Sequence, residues 1–204
     1  MKNQLIKLTC LVLLSTATFS CKKAYDDNNL APLAPSLADI PVTVTNATYL
    51  ERFPVITATG AFIAPTPPAT ANVAVTPTAA QPGNFSVTFS IPADKGTIKE
   101  ITRVATGNNG LLLLQNGSAS NQLNYDGTNA VTIAGNGTNT ITFNSSLLAY
   151  TAYRARVGAG AGAAPLFSTN LQAPTQLFYY FLLTLSTPNG DIQVIPTQVR
   201  VRVI

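Results

Sequence analysis

Apolar positions in the body of the chain recur mainly at intervals of two, not at the three-and-four spacing of a helix. Phe85, Val87, Phe89 and Ile91 alternate with Ser86, Thr88 and Ser90, which predicts a strand with one buried and one wet face. Asn72 to Thr76 alternates weakly, and Pro92-Ala93-Asp94-Lys95-Gly96 reads as a turn. Ile98 to Val104 reads as a second strand. Ile98 and Ile101 are out of phase there, which predicts a bulge or a twist. Leu111 to Leu114 is apolar throughout and too short to read as a helix. Val131–Ala134 and Thr138–Phe143 flank Gly135-Asn136-Gly137, a hairpin signal. Tyr153, Ala155 and Val157 alternate with Arg154 and Arg156, and Val199, Val201 and Val203 alternate with Arg200 and Arg202. Each set predicts a strand. Leu177 to Leu185 is apolar on both faces, as a central strand would be, and Pro188-Asn189-Gly190-Asp191 turns the chain after it.

Short strands separated by Gly and Pro turns predict an all-β fold, an antiparallel β-sandwich, with a β-barrel as the competing architecture. Residues 177–204 resemble the closing strands of Ig-like or fibronectin-like extracellular domains. The resemblance implies an Ig-like sandwich, without a Cys-Trp-Cys core. The body exceeds the roughly 100 residues of a minimal Ig domain. Extra strands or insertions are therefore expected, near 46–70 and 106–140.

The first twenty residues have a different character. Lys2 and Lys7 precede an apolar stretch from Leu8 to Leu14, and small polar residues lead to Cys21. This is the layout of a secretory signal, and its apolar run is shorter than the roughly 20 residues a spanning helix needs. Thr18-Phe19-Ser20-Cys21 resembles the lipobox of bacterial lipoproteins of the Bacteroidota type, loosely matched at Thr18 and Phe19. The resemblance implies cleavage before Cys21 and a covalent lipid on it. Cys10 is removed with the signal, so the mature chain keeps no thiol for a disulfide. Lys22-Lys23-Ala24-Tyr25-Asp26-Asp27 is similar to the surface-export signal of such lipoproteins, interrupted by Ala24 and Tyr25. Pro32, Pro35 and Pro41 keep the following stretch extended. The expected layout is a signal peptide over 1–20, a lipidated cysteine and tether over 21–45, and the sandwich over 46–204.

Composition narrows the chemistry. The chain has 204 residues, enough for one domain with an appendage, and only 10% are charged. It has no His and no Trp, which removes His general-base chemistry, His-ligated metals and Ser-His-Asp triads. The formal charge of +4 falls to +2 once Lys2 and Lys7 are removed, and no basic-aromatic cluster stands out, so nucleic acid is not an expected partner. The acidic residues of the body are Asp39, Glu51, Asp94, Glu100, Asp126 and Asp191. No two form a recognisable pair for glycoside hydrolysis, and Asp94, Asp126 and Asp191 sit in turn-like segments. Neither Asp126-Gly127-Thr128-Asn129 nor Asp26-Asp27-Asn28-Asn29 matches a calcium loop, so no metal is expected. Gly158 to Ala164 lacks the Lys-Ser/Thr ending of a phosphate loop.

What remains is binding. Arg154, Arg156, Arg200 and Arg202 each point to one face of a predicted strand. If those strands lie side by side, the four form a patch for acidic sugars, lipid headgroups or carboxylates. Otherwise they are an ordinary wet face that discourages edge pairing. Tyr125, Tyr150, Tyr153, Tyr179 and Tyr180 are candidate sugar platforms. Tyr153 and one of Tyr179 and Tyr180 are expected in the core. The Asn-rich stretch 108–144 offers amides. The expectation is a non-enzymatic, lipid-anchored cell-envelope protein, with no catalytic residue and no cofactor beyond the lipid on Cys21. It sits at the outer membrane, displayed on the surface or facing the periplasm, and serves binding, adhesion or scaffolding with envelope proteins or glycans. The alternative is a glycan-binding accessory lipoprotein of a nutrient-uptake system. A hydrolase requires two converging carboxylates.

Overall fold

The computed structural model describes residues 37–58, 74–115, 132–157, 167–168 and 175–203. Strands dominate them and are numbered β1 to β12 in chain order. β10 (Gln176–Thr187) is the centre of the larger sheet. β6 (Thr97–Thr106) runs antiparallel along one edge of it. On the other edge β11 (Gly190–Gln193) and then β12 (Thr197–Val203) return antiparallel. β3 (Phe53–Ala58) lies parallel on β12, β2 (Thr48–Leu50) antiparallel on β3, and β7 (Ile133–Ala134) antiparallel on β6. A smaller sheet holds β1 (Thr43–Val44), β5 (Asn84–Ser90) and β8 (Thr140–Ser146), in that order and antiparallel. β4 (Ala74–Val75) and β9 (Phe167–Ser168) form a separate two-stranded ladder. The fold is all-β in its main mass, and both principal sheets are open among the described residues rather than closed into a barrel.

The alternation in β5 and the apolar run in β10 explain why the two sheets stack. Phe85, Val87 and Phe89 are buried on one face of β5, and Leu177, Tyr179, Phe181, Leu183 and Leu185 on one face of β10. Their rings meet at the centre. The ring centroids of Phe89 and Phe181 are 4.8 Å apart, those of Phe143 and Phe181 5.0 Å, and those of Phe85 and Tyr179 5.3 Å, all edge-on. Each such pair adds roughly 0.5–1.5 kcal/mol beyond burial.

β6 carries the predicted bulge, and carries it twice. Arg103 and Ile101 oppose the consecutive Leu182 and Leu183, and Glu100 and Ile98 oppose Thr184 and Leu185. Thr102 and Lys99 are therefore supernumerary. Each extra residue resets the alternation, so Ile98, Ile101 and Val104 all reach the same core.

Four expectations change. Residues 153–157 are not a strand but the end of helix α2 (Leu147–Val157). The Ser146 hydroxyl accepts the Ala149 N–H at 3.1 Å as an N-cap, and Leu147, Tyr150 and Tyr153 reach the core from one helix face. Leu111–Leu114 lies within a short helix, α1 (Gly110–Gln115). Leu113 and Leu114 cover Ala105 and Leu182 on the outer face of the larger sheet, and Arg103 Nη1 donates to the Leu114 carbonyl at 2.8 Å. Gly135-Asn136-Gly137 is not a hairpin turn. β7 belongs to the larger sheet and β8 to the smaller, so this segment crosses between them. Gly135 serves close approach: a Cβ there would overlap the Ile98 carbonyl oxygen. Finally, the folded body starts earlier than residue 46. The chain divides between Ser36 and Leu37. The Ala38 N–H donates to the Gln193 carbonyl at 2.6 Å, and Ile40, Val42 and Val44 pack on the core. Pro41 is compatible with this because a sheet edge leaves N–H positions unused.

Candidate functional site

A concavity among the described residues arises where the chain passes from one sheet to the other. β1 pairs with β5 only at Thr43 and Val44, and the Thr45 N–H then reaches the Thr88 carbonyl at 2.9 Å. Asn46 continues the pairing with its side chain. Nδ2 donates to the Ser86 carbonyl at 3.0 Å, and Oδ1 accepts the Thr88 N–H at 2.9 Å. The backbone then leaves β5 and enters β2 in the larger sheet. The gap left behind is a groove of about 670 Å³.

Asn46, Thr48 and Thr57 line one side of it, Asn84, Ser86, Asn144 and Ser145 the other, and Val55, Ile56 and Phe85 supply apolar wall. The polar groups are carboxamides and hydroxyls, which both donate and accept and carry no charge. They can hold a neutral, hydroxyl-rich molecule by hydrogen bonds. They contain no group that takes or gives a proton near neutral pH.

The four arginines do not come from neighbouring strands of one sheet. Arg154 and Arg156 lie on α2, and Arg200 and Arg202 on β12. Arg154 is buried, and its charge acts on the Tyr150 phenol, which burial pushes upward and Arg154 partly pulls back. Tyr150 packs 6.0 Å from Tyr179 on the core side of the larger sheet. Arg200 and Arg202 flank the buried Val201 and so lie on the opposite, outer face. The strand signal from Tyr153 to Val157 was a helix seen through too short a window, so the premise of a shared face fails.

The tyrosines divide as expected: Tyr153 and Tyr179 are buried and Tyr180 points to the outer face, half-buried. Tyr150 is also core, and none of the described tyrosines lines the groove. Among the acidic residues, Asp191 pairs with Lys99 and Asp94 with Lys95, all exposed. Each of Lys99 and Asp191 holds the other in its charged form, with the lysine shifted up and the aspartate down. Asp39, Glu51 and Glu100 do not line the groove. No group of three His, Cys, Asp or Glu side chains that could hold a metal occurs among the described residues, and no described helix is long and apolar enough to cross a membrane. Cys21, Tyr125, Asp126–Asn129 and the Gly158–Ala164 run lie outside the described residues.

The sequence reading missed the groove. Ser86 is a wet-face position of the strand read over 85–91, while Asn84 and Asn144 each lie one residue beyond the strands as read, and only the point where β1 peels away makes the three a site. Comparison with protein-family models, curated proteins and solved structures finds no match for this chain.

Proposed function

We propose that this is a lipid-anchored cell-envelope protein that displays a non-catalytic, Ig-like β-sandwich with extra strands for binding, adhesion or scaffolding. The observation that carries the binding role is the groove, whose lining offers neutral donors and acceptors to a ligand and no acid–base pair to transform it. The sequence supports the anchor. A secretory signal leads to Cys21, and the body begins at Leu37, which leaves 22–36 as the spacer. The Ig-like assignment rests on two sheets packed face to face and on the closing strands β10 and β12, side by side in one of them.

Display at the cell surface is tested by antibody labelling of the domain on intact cells, with permeabilised cells as control. Labelling of intact cells is the expected result. Labelling only after permeabilisation sinks the surface assignment and leaves a periplasm-facing scaffold.

The groove favours a second, narrower reading, the glycan-binding accessory lipoprotein. Three carboxamides, from Asn46, Asn84 and Asn144, converge there beside four hydroxyl side chains. A glycan array run with the full chain distinguishes the two. Neutral oligosaccharide binding that weakens on Asn144→Ala supports the glycan role, and an empty array confines the function to protein contacts.

A further inference from the structure

The outer face of the larger sheet carries a constellation that does not line the groove. Tyr180 stands directly opposite Gln198, and Phe178 directly opposite Arg200, all on outward positions of β10 and β12. The Arg200 guanidinium carbon lies 3.9 Å from the centre of the Phe53 ring and 5.7 Å from that of Phe178. Stacking of this kind fixes a planar cation in place without neutralising it. Neither of the ion pairs among the described residues involves Arg200, and its Nε is buried with no hydrogen-bond acceptor. Its η nitrogens accordingly remain the open end of the fork. Burial pushes the Tyr180 phenol upward, and the nearby Arg200 charge pulls it partly back. The Tyr180 ring is fixed in turn by α1, because Gly110 approaches so closely that a Cβ would strike it.

We propose that this face binds a carboxylate-bearing sugar, a uronic acid or an oligomer of one, through Arg200, with Tyr180 and Gln198 bonding its hydroxyls and Phe53 and Phe178 bordering the ring. Charge complementarity selects the acid: a stacked guanidinium without an anionic partner takes a carboxylate end-on in two parallel hydrogen bonds. Position selects the sugar over a peptide. β10 and β12 are interior strands flanked by β6 and β3, and Arg200 itself is paired on both sides, so the strand that carries it is not a sheet edge open to strand addition. A ligand meets side chains alone: a fork, a phenol, a carboxamide and aromatic rings. This site rests on the domain being a binding module, but not on the groove.

Calorimetry with the full chain in detergent micelles tests it, with trigalacturonate as probe, maltotriose as neutral control and triglutamate as peptide control. Trigalacturonate binds, more weakly as salt rises, and Arg200→Gln reduces the affinity about tenfold or more. Arg200→Lys restores only part of it, because a lysine lacks the planar fork. Lys95→Gln, which removes a charge elsewhere, leaves the binding unchanged. Should Arg200→Gln fail to fold by circular dichroism, Tyr180→Phe decides. It keeps the ring and loses one hydroxyl, and reduces affinity about two- to tenfold. Absence of trigalacturonate binding, unchanged affinity in the folded Arg200→Gln or in Tyr180→Phe, or equal binding of triglutamate or maltotriose overturns the proposal. Maltotriose binding that depends on Asn144 and not on Arg200 would leave the groove reading standing alone.

Discussion

At Asn46 a side-chain carboxamide replaces a peptide group. It bonds Ser86 and Thr88 as the next residue of β1 would, while the backbone is released to cross to the other sheet. Asn46→Ala removes both bonds and is expected to cost about 1–2 kcal/mol. Chemical denaturation reads this as a lower midpoint at unchanged slope, and an unchanged midpoint refutes the assigned role. Gly135 is a second singular residue. Adding a Cβ against the Ile98 carbonyl forces β6 and the crossing segment apart, so Gly135→Ala should destabilise by about 1–3 kcal/mol, read as a fall in Tm. Lys99 and Asp191 set the pH response of this region. The Asp191 value is lowered on folding, so its contribution is present above the unfolded carboxylate value and is lost as pH falls through the lower folded one. The Lys99 value is raised, so its contribution holds below the unfolded lysine value and is lost as pH rises through the higher folded one. Both side chains are exposed, so the effect is small and salt-sensitive. Asp191→Asn should flatten Tm against pH at both ends in low salt and change nothing in high salt.

At the scale of elements, the legible strands were those whose two faces meet different surroundings. β5 meets core on one side and water on the other, and its alternation says so. β10 is buried on its core face and, under α1, on part of its outer face, hence its apolar run, interrupted only at Thr184. β6 was legible as a strand and even as a bulged one, because Ile98 and Ile101 share a face only if a residue is skipped. The helix α2 was not legible from residue 153 onward. Its core face is Leu147, Tyr150 and Tyr153, spaced by three, and only the last of these falls in the window where Arg154 and Arg156 imitate a strand. The cap was there to be read in Ser146, and Ser146→Ala should cost about 1 kcal/mol. A denaturation curve indistinguishable from wild type would show that tertiary packing alone sets the start of the helix. The edge segment from Ala38 to Val44 was hidden by Pro41, which with Pro32 and Pro35 reads as an extended tether, although Ala38, Ile40, Val42 and Val44 alternate as a strand does.

For the whole molecule, both candidate sites were illegible for one reason: register and strand order decide which side chains meet. Asn46 and Asn144 are 98 positions apart in sequence, and Phe53 and Arg200 further still. Arg200 was visible as a candidate, but its companions proved to be Phe53, Phe178 and Tyr180 rather than three other arginines. The aromatic centre joins the two sheets, and with them the walls of the groove. The proposed lipid anchor on Cys21 would make this all-β domain a displayed module. The most direct measurement is the intact mass of the mature protein recovered from membranes, with fragmentation of its N-terminus. The account predicts a chain beginning at Cys21 and carrying acyl chains on it, and a Cys21→Ser variant that lacks them and leaves the membrane fraction. A mature chain that begins elsewhere, or at an unmodified Cys21, contradicts it.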